Sequence, residues 1–433
     1  MTAETLLRQI TDYANRPDPY PLYAELRRTP VTRQDDGTYV VSTYREILGL
    51  LHDPRISSEA ENRISTEEDT SGTAVTADAE KTGDAEETGD AEETGDVELA
   101  GLPPSLIRID PPDHDRLRRL AMRQFGPPHC PTRVDGMRED IARITDSLID
   151  GFADRTRIDL VDDFAYPLPV TVICALMGVP REDEPRFHAW ADTLVSGLDP
   201  GKRGPGAGPS PEQRQARLEM AAYMAELAAR RRDAPRDDML SGLVSDDGPQ
   251  GRMSQVELVT TAILLFIAGH ETTVNLITNG MLTLLRHPEL RERLRREPDL
   301  MAGAVEELLR YEPPVHMLPQ RTPLTDIEIA GTTIPRGAPL TLVLAAGNRD
   351  PQRFADPDTF DPERPDVEHL GFGGGIHSCF GAPLARLETQ IALTALLRRL
   401  DEPSLVTDPP VYRPNPVLRG PRHLPVAFAG IRG

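Results

Sequence analysis

The chain of 433 residues sets 48 Lys+Arg against 70 Asp+Glu, a formal charge of −22, and carries three cysteines, Cys130, Cys174 and Cys379. That length allows one extensive core or two to three ordinary domains of about 150 residues each. The acidic balance offers no concentrated basic surface for nucleic-acid phosphates, and the sparse, odd cysteine count argues against a disulfide framework and for a reducing, cytoplasmic setting.

In chain order, residues 1–10 have neither the basic start nor the apolar stretch of a signal peptide. A short β pattern follows at 38–42. Residues 59–98 then hold 15 acidic and 2 basic side chains, a net −13 that leaves −9 for the rest of the chain. There a Thr-Gly-Asp-Ala-Glu-Glu hexad repeats in tandem at 82–87 and 88–93, with almost no large apolar residue to offset the entropy of ordering. The expectation is a disordered, solvated insertion within a single domain spanning 1–433.

Beyond it, Asp110-Pro111-Pro112-Asp113-His114-Asp115-Arg116-Leu117-Arg118 opens a helix with His114 and Arg118 on one face. Apolar spacings of three and four predict helices over 141–152, 217–229, 254–286 and 301–311, with a Gly- and Pro-rich mobile loop at 199–211 and further β pattern between 327 and 344. The fold class is mainly α (α+β): a large helical unit with small β elements. The longest apolar run, 262–269, falls far short of the roughly 18 residues a bilayer span requires, so no membrane association is expected.

Ser254 and Glu257 make a capping box at the start of the longest predicted helix, and Pro288 marks its other end. At 1.5 Å per residue this helix would be about 50 Å long. In its middle, Ala268-Gly269-His270-Glu271-Thr272-Thr273 sets a glycine, a carboxylate and two hydroxyls in an apolar stretch, where polar groups need a reason. A structural reading has Thr272 bonding a carbonyl in the preceding turn and Glu271 pairing with an arginine. A chemical reading has Gly269 admitting a small ligand to the backbone, Thr272 on the same face, and Glu271 carrying protons beside it. Heterolytic O–O cleavage requires such a groove, with protons delivered and bulk water kept out.

Near the other end, Phe372-Gly373-Gly374-Gly375-Ile376-His377-Ser378-Cys379-Phe380-Gly381 runs into Ala382-Pro383-Leu384. A cysteine so placed is either an inert buried thiol or a metal-binding thiolate. Backbone N–H groups of the glycine-rich turn and a following helix N-terminus favour the anion, which makes Cys379 the candidate ligand.

The ordered set resembles the cytochrome P450 family: the helix bearing Ala268 to Thr273, then Glu307-Leu308-Leu309-Arg310, Phe360-Asp361-Pro362-Glu363-Arg364, and the Phe-x-x-Gly-x-His-x-Cys-x-Gly loop ending at Gly381. The resemblance runs from Asp18-Pro19-Tyr20-Pro21 to Asn415-Pro416-Val417-Leu418-Arg419. It implies haem b (iron protoporphyrin IX) with Cys379 as proximal iron ligand, and His114, Arg118, Arg321 and His377 as partners of the haem propionates. It further implies Glu271 and Thr272 as the catalytic acid and alcohol that manage protons during dioxygen activation. Glu307, Arg310 and Arg364 would form a structural salt-bridge network.

The activity implied is insertion of one oxygen atom from O2 into a C–H bond, hydroxylation or epoxidation. Electrons would come from a separate ferredoxin and ferredoxin reductase, since no reductase motif follows, and Arg116 and Arg119 could meet an acidic carrier. Around 268–281 and 414–419 the chain is similar to actinobacterial members that tailor macrolides and other polyketides. That implies a bulky apolar small-molecule substrate touching Val315, Met317 and Leu318. A terpenoid, steroid or peptide scaffold stays open, as does a haem-thiolate protein without monooxygenase activity.

Overall fold

The computed structural model describes residues 3–63, 104–125, 130, 132–195, 210–246, 248 and 251–433. Most of the acidic 59–98 segment and most of the 199–211 loop lie outside the described residues.

Helix Gln255–Arg286, 32 residues long, is the axis of the structure. Its start is set locally. Ser254 Oγ accepts from Glu257 N at 3.2 Å and Glu257 Oε2 accepts from Ser254 N at 2.8 Å, which satisfies two backbone donors that a helix start otherwise leaves bare. It stops at Arg286 because Pro288 cannot donate to the preceding turn and instead begins helix Pro288–Arg296. By length and composition this helix could cross a bilayer, but 78% of its most apolar window is buried inside the protein.

Helices Pro167–Met177, Glu184–Val195, Pro211–Asp233 and Ala382–Arg399 pack around it. Phe266, Val274 and Ile277 of the central helix are inaccessible and share one core with Phe164, Phe187, Met224 and Leu393. Each such side chain contributes about 1.5–3 kcal/mol by leaving water. The predicted helices over 141–152 and 217–229 appear as Arg138–Asp150 and Pro211–Asp233, the latter lengthened because Ser210 caps it with Gln213. Pro167–Met177 and Ala382–Arg399 lack a clean apolar stripe because they are buried on several sides.

A five-stranded sheet lies to one side, in the spatial order Val31–Arg33, Tyr39–Val41, Leu340–Leu342, Leu318–Pro323, Ile56–Ser57. Tyr39–Val41 pairs antiparallel with Val31–Arg33 and parallel with Leu340–Leu342, placing Val40 opposite Thr341. Register shifts between Leu318 and Arg321, where Gln320 takes a φ of 66°. Such a bulge re-aims the side chains around it.

Candidate active site

A cavity of ≈ 2330 Å³ lies between the central helix and the cysteine loop. The loop forms one wall and Ala268, Gly269, Thr272 and Thr273 another. Val315, Met317 and Leu318 also line it, and so do Arg108 and the N-terminal turns of helix Pro211–Asp233.

The loop's path depends on its glycines. Gly373 and Gly375 adopt φ of +68° and +62°, and a Cβ on Gly375 would lie 1.8 Å from Leu51 O. Cys379 N donates to Phe372 O at 2.9 Å, and Phe380 stands edge-on to Phe125 at 5.3 Å. Cys379 is accessible and lines the cavity. Desolvation by the surrounding protein raises its thiol pKa, outweighing the backbone groups of Gly381 and Ala382 and the charge of Arg118 that pull it down. The backbone groups of the loop pull toward the anion, but burial outweighs them; a metal ion held here would tip the balance to the thiolate.

Along the cavity edge, His114 is fully buried, with Nδ1 3.0 Å from Asp115 Oδ1. His377 Nε2 lies 2.9 Å from Ser58 Oγ. The two rings meet edge to face at 4.4 Å, and their other nitrogens, His114 Nε2 and His377 Nδ1, are buried without a hydrogen-bond partner among the described residues. Arg118 Nη2 donates to Ser378 O at 2.6 Å, while Arg321 makes, among the described residues, a single 3.4 Å contact to the adjacent Gln320 carbonyl. Burial lowers the pKa of Arg321, and the positive charge of Arg108 lowers it further. Burial, then the charges of His114 and Arg321, push His377 down to about 4.

Two orphaned ring nitrogens and two partly desolvated guanidiniums beside an open thiol are what a planar macrocycle with two carboxylates would satisfy. The residues present fit haem b.

On the facing wall the contacts of the structural reading of the 268–273 motif are present, and Gly269 and Thr272 also line the cavity. Thr272 Oγ1 donates to Ala268 O at 2.8 Å and still lines the cavity. Glu271 is 2% exposed and does not line it; its Oε1 lies 2.8 Å from Arg413 Nε and 3.4 Å from Asn275 Nδ2. A Cβ on Gly269 would make only an ordinary 3.6 Å contact with Ile173 Cδ1, so the space there is not fully used by the glycine. His270 points the other way, edge-on to Tyr166 at 4.4 Å.

Behind the cysteine loop, Glu307 accepts from Arg310 Nε and Nη2 at 2.7 Å each, from Arg364 Nε at 3.1 Å and from Asp361 N at 3.0 Å. The three residues assigned to a network by resemblance are thus in contact. Sequence reasoning missed its neighbour: Glu306 takes two bonds from Arg386, at 2.6 and 2.8 Å, and one contact of 3.3 Å from His369. Burial raises the Glu306 pKa, but the bonds from His369 and Arg386 outweigh it and carry the group to about 2. Arg413 was missed as well, since only the fold brings it to Glu271. Of the two arginines considered for an electron carrier, Arg116 is engaged by Glu257 and Arg119 is exposed.

Residues 212–424 match the family model described as Cytochrome P450. The chain is 39% identical to cytochrome P450 monooxygenase PikC of Streptomyces venezuelae, over 95% of this chain and 91% of that protein. It is 37% identical to the 6-deoxyerythronolide B hydroxylase of Saccharopolyspora erythraea, over 95% and 96% respectively. Among solved structures it is similar to the bacillaene polyketide synthase cytochrome P450 PksS of Bacillus subtilis 168, with a TM-score of 0.82, 31% identity, and coverage of 97% of this chain and 99% of that one.

Proposed function

From its membership of the cytochrome P450 family, which makes this chain a haem b monooxygenase drawing on O2, a small-molecule substrate and redox partners, we propose that it oxygenates a bulky, mostly apolar natural product of the macrolide or polyketide type. The observation that supports the substrate class is the cavity, ≈ 2330 Å³ shared between haem and substrate with Val315, Met317 and Leu318 in its wall, in a chain whose relatives include a 6-deoxyerythronolide B hydroxylase and a polyketide-synthase P450.

Haem bound here supplies a thiolate-ligated iron that activates dioxygen for insertion into a C–H bond. The rest is the work of this chain's residues. Cys379 would give the sulphur ligand. His114 Nε2, His377 Nδ1 and the guanidiniums of Arg118 and Arg321 hold the propionates, an assignment supported by the absence of other partners for those two ring nitrogens among the described residues.

Thr272 presents its hydroxyl to the cavity while its proton rests on Ala268 O, so Oγ1 is oriented to accept from an incoming group and to pass a proton on. Glu271, held by Arg413 on the side away from the cavity, moves protons inward from the Arg413 side and does not touch substrate. The apolar cavity wall keeps bulk water from that path.

We read residues 1–433 as one catalytic unit, supported by relatives that align over 95% of the chain. Reducing equivalents come from a separate ferredoxin and its reductase, in the cytoplasm. The test is reconstitution with a ferredoxin, its reductase, NADPH and a panel of macrolide aglycones, followed by mass spectrometry. A product heavier by one oxygen supports the reading; haem-loaded enzyme that oxidises none of the panel but oxidises a steroid or terpenoid overturns the substrate class.

A further inference from the structure

The cavity contains more positive charge than the propionates use. Arg108, in the turn Leu106–Arg108, lines it, and no carboxylate among the described residues pairs with its guanidinium. Arg108 is exposed at this edge of the cavity, and the protein around it lowers its pKa with no opposing charge contributing.

The acids of the cavity wall are otherwise occupied. Asp53 is bound to Arg55 at 2.6 Å. Asp110 accepts from Ser58 N at 2.9 Å and acts on Arg321 and His377. Glu388 is buried, and burial raises its pKa well above the ordinary carboxylate value, which disfavours its charged form. Arg118 and Arg321 would balance the two propionates of a bound haem, and a guanidinium left over on the cavity wall favours a ligand that carries an anion to it.

We propose that Arg108 is a specificity-determining residue that receives an anionic group, a carboxylate, on the substrate, and that this enzyme prefers acidic apolar compounds to their neutral counterparts. The proposal rests on the monooxygenase reading and narrows its substrate class. Arg108 reaches the cavity from the turn before helix Asp113–Phe125 and stands near enough to Arg321 for the two charges to repel. With Arg321 given to a propionate, the planar fork of Arg108 stays free and suits a carboxylate. The substrate's apolar body would then extend toward Thr272.

The experiment uses haem-loaded enzyme and dodecanoic acid, methyl dodecanoate and dodecylamine, with affinities from the absorption change on ligand binding. Wild type is expected to bind the acid about tenfold to a hundredfold more tightly than the ester. Arg108→Gln should erase that difference with haem content unchanged, and Arg108→Glu should favour the amine. Arg295→Gln, which removes an arginine that pairs with Glu292 outside the cavity, should change nothing.

Equal binding of acid and ester by wild type overturns the proposal. So does an Arg108→Gln enzyme that loses haem, since Arg108 would then serve the propionates. Arg217 is another arginine of the cavity wall, and if Arg217→Gln erases the preference while Arg108→Gln does not, the proposal also fails. Oxygenation of neutral polyketides without any preference for carboxylates would sink this inference and leave the monooxygenase reading intact; absence of oxygenated product from every compound would sink that reading, whatever the binding comparison shows.

Discussion

Arg413 Nε stands 2.8 Å from Glu271 Oε1, so the carboxylate in the middle of the central helix is tethered to the C-terminal segment and turned from the cavity. Arg413→Leu would leave that buried charge without its cation and should cost about 3 kcal/mol of stability, while Arg413→Lys should recover most of it. Glu271→Gln, which keeps the shape but carries no proton, should slow product formation by about a hundredfold and enlarge its solvent deuterium effect. Thermal unfolding and NADPH-driven turnover in H2O and D2O check both.

Thr272 bonds within its own helix, so Thr272→Ala should leave the fold and substrate affinity nearly unchanged. Its effect should fall on coupling: reducing equivalents are diverted to hydrogen peroxide, seen as a higher ratio of peroxide to oxygenated product. Unaltered coupling would remove Thr272 from the mechanism.

Glu307 is 0% exposed and accepts from Arg310, Arg364 and a backbone N–H. Glu307→Gln leaves two guanidiniums over a neutral amide and should destabilise the protein by about 3–5 kcal/mol. Purified variant should show depleted haem content and an earlier urea midpoint by circular dichroism.

His270 is held at a pKa of about 3, chiefly by burial and then by the charges of His188 and Arg413. Its folded pKa lies below the unfolded value near 6.5, so the unfolded chain binds the extra proton and stability falls as pH drops from about 6.5 toward 3. At pH 5 this linkage amounts to about 2 kcal/mol relative to pH 7 or above. His270→Phe removes it. The difference in unfolding free energy between wild type and variant should therefore shift by that amount, in the variant's favour, between pH 7.5 and pH 5.

Two glycines should behave in opposite ways. Gly375→Ala forces a Cβ to 1.8 Å from Leu51 O at a positive φ and should abolish haem incorporation, whereas Gly269→Ala meets only Ile173 Cδ1 at 3.6 Å and should fold with haem. Haem-to-protein absorbance ratios distinguish them.

What the sequence made legible was local. The capping box at Ser254 and Glu257, the stop at Pro288 and the glycine-rich approach to Cys379 each act within a few residues, so the string of letters contains the whole argument. The direction of Glu271 was not legible, because it is decided by Arg413 from a distant segment. Glu306 carries no local signal, because Arg386 and His369 reach it only through the fold. The five-stranded sheet was half visible: strands of two to six residues contain little periodicity, and the pairing of Tyr39–Val41 with Leu340–Leu342 obeys no local signal.

That parallel pairing places a demand on the ribosome as well as on the folded state. Tyr39–Val41 can form its antiparallel ribbon with Val31–Arg33 as soon as both have emerged, but its other edge is completed only by Leu340–Leu342. At about 5–20 residues per second, that edge waits on the order of 15–60 s for its partner. Throughout synthesis the nascent chain displays unpaired backbone donors and acceptors beside the buried-to-be Val40 and Val41, so yield in a heterologous host should depend on chaperone supply and growth temperature more than on the stability of the finished enzyme.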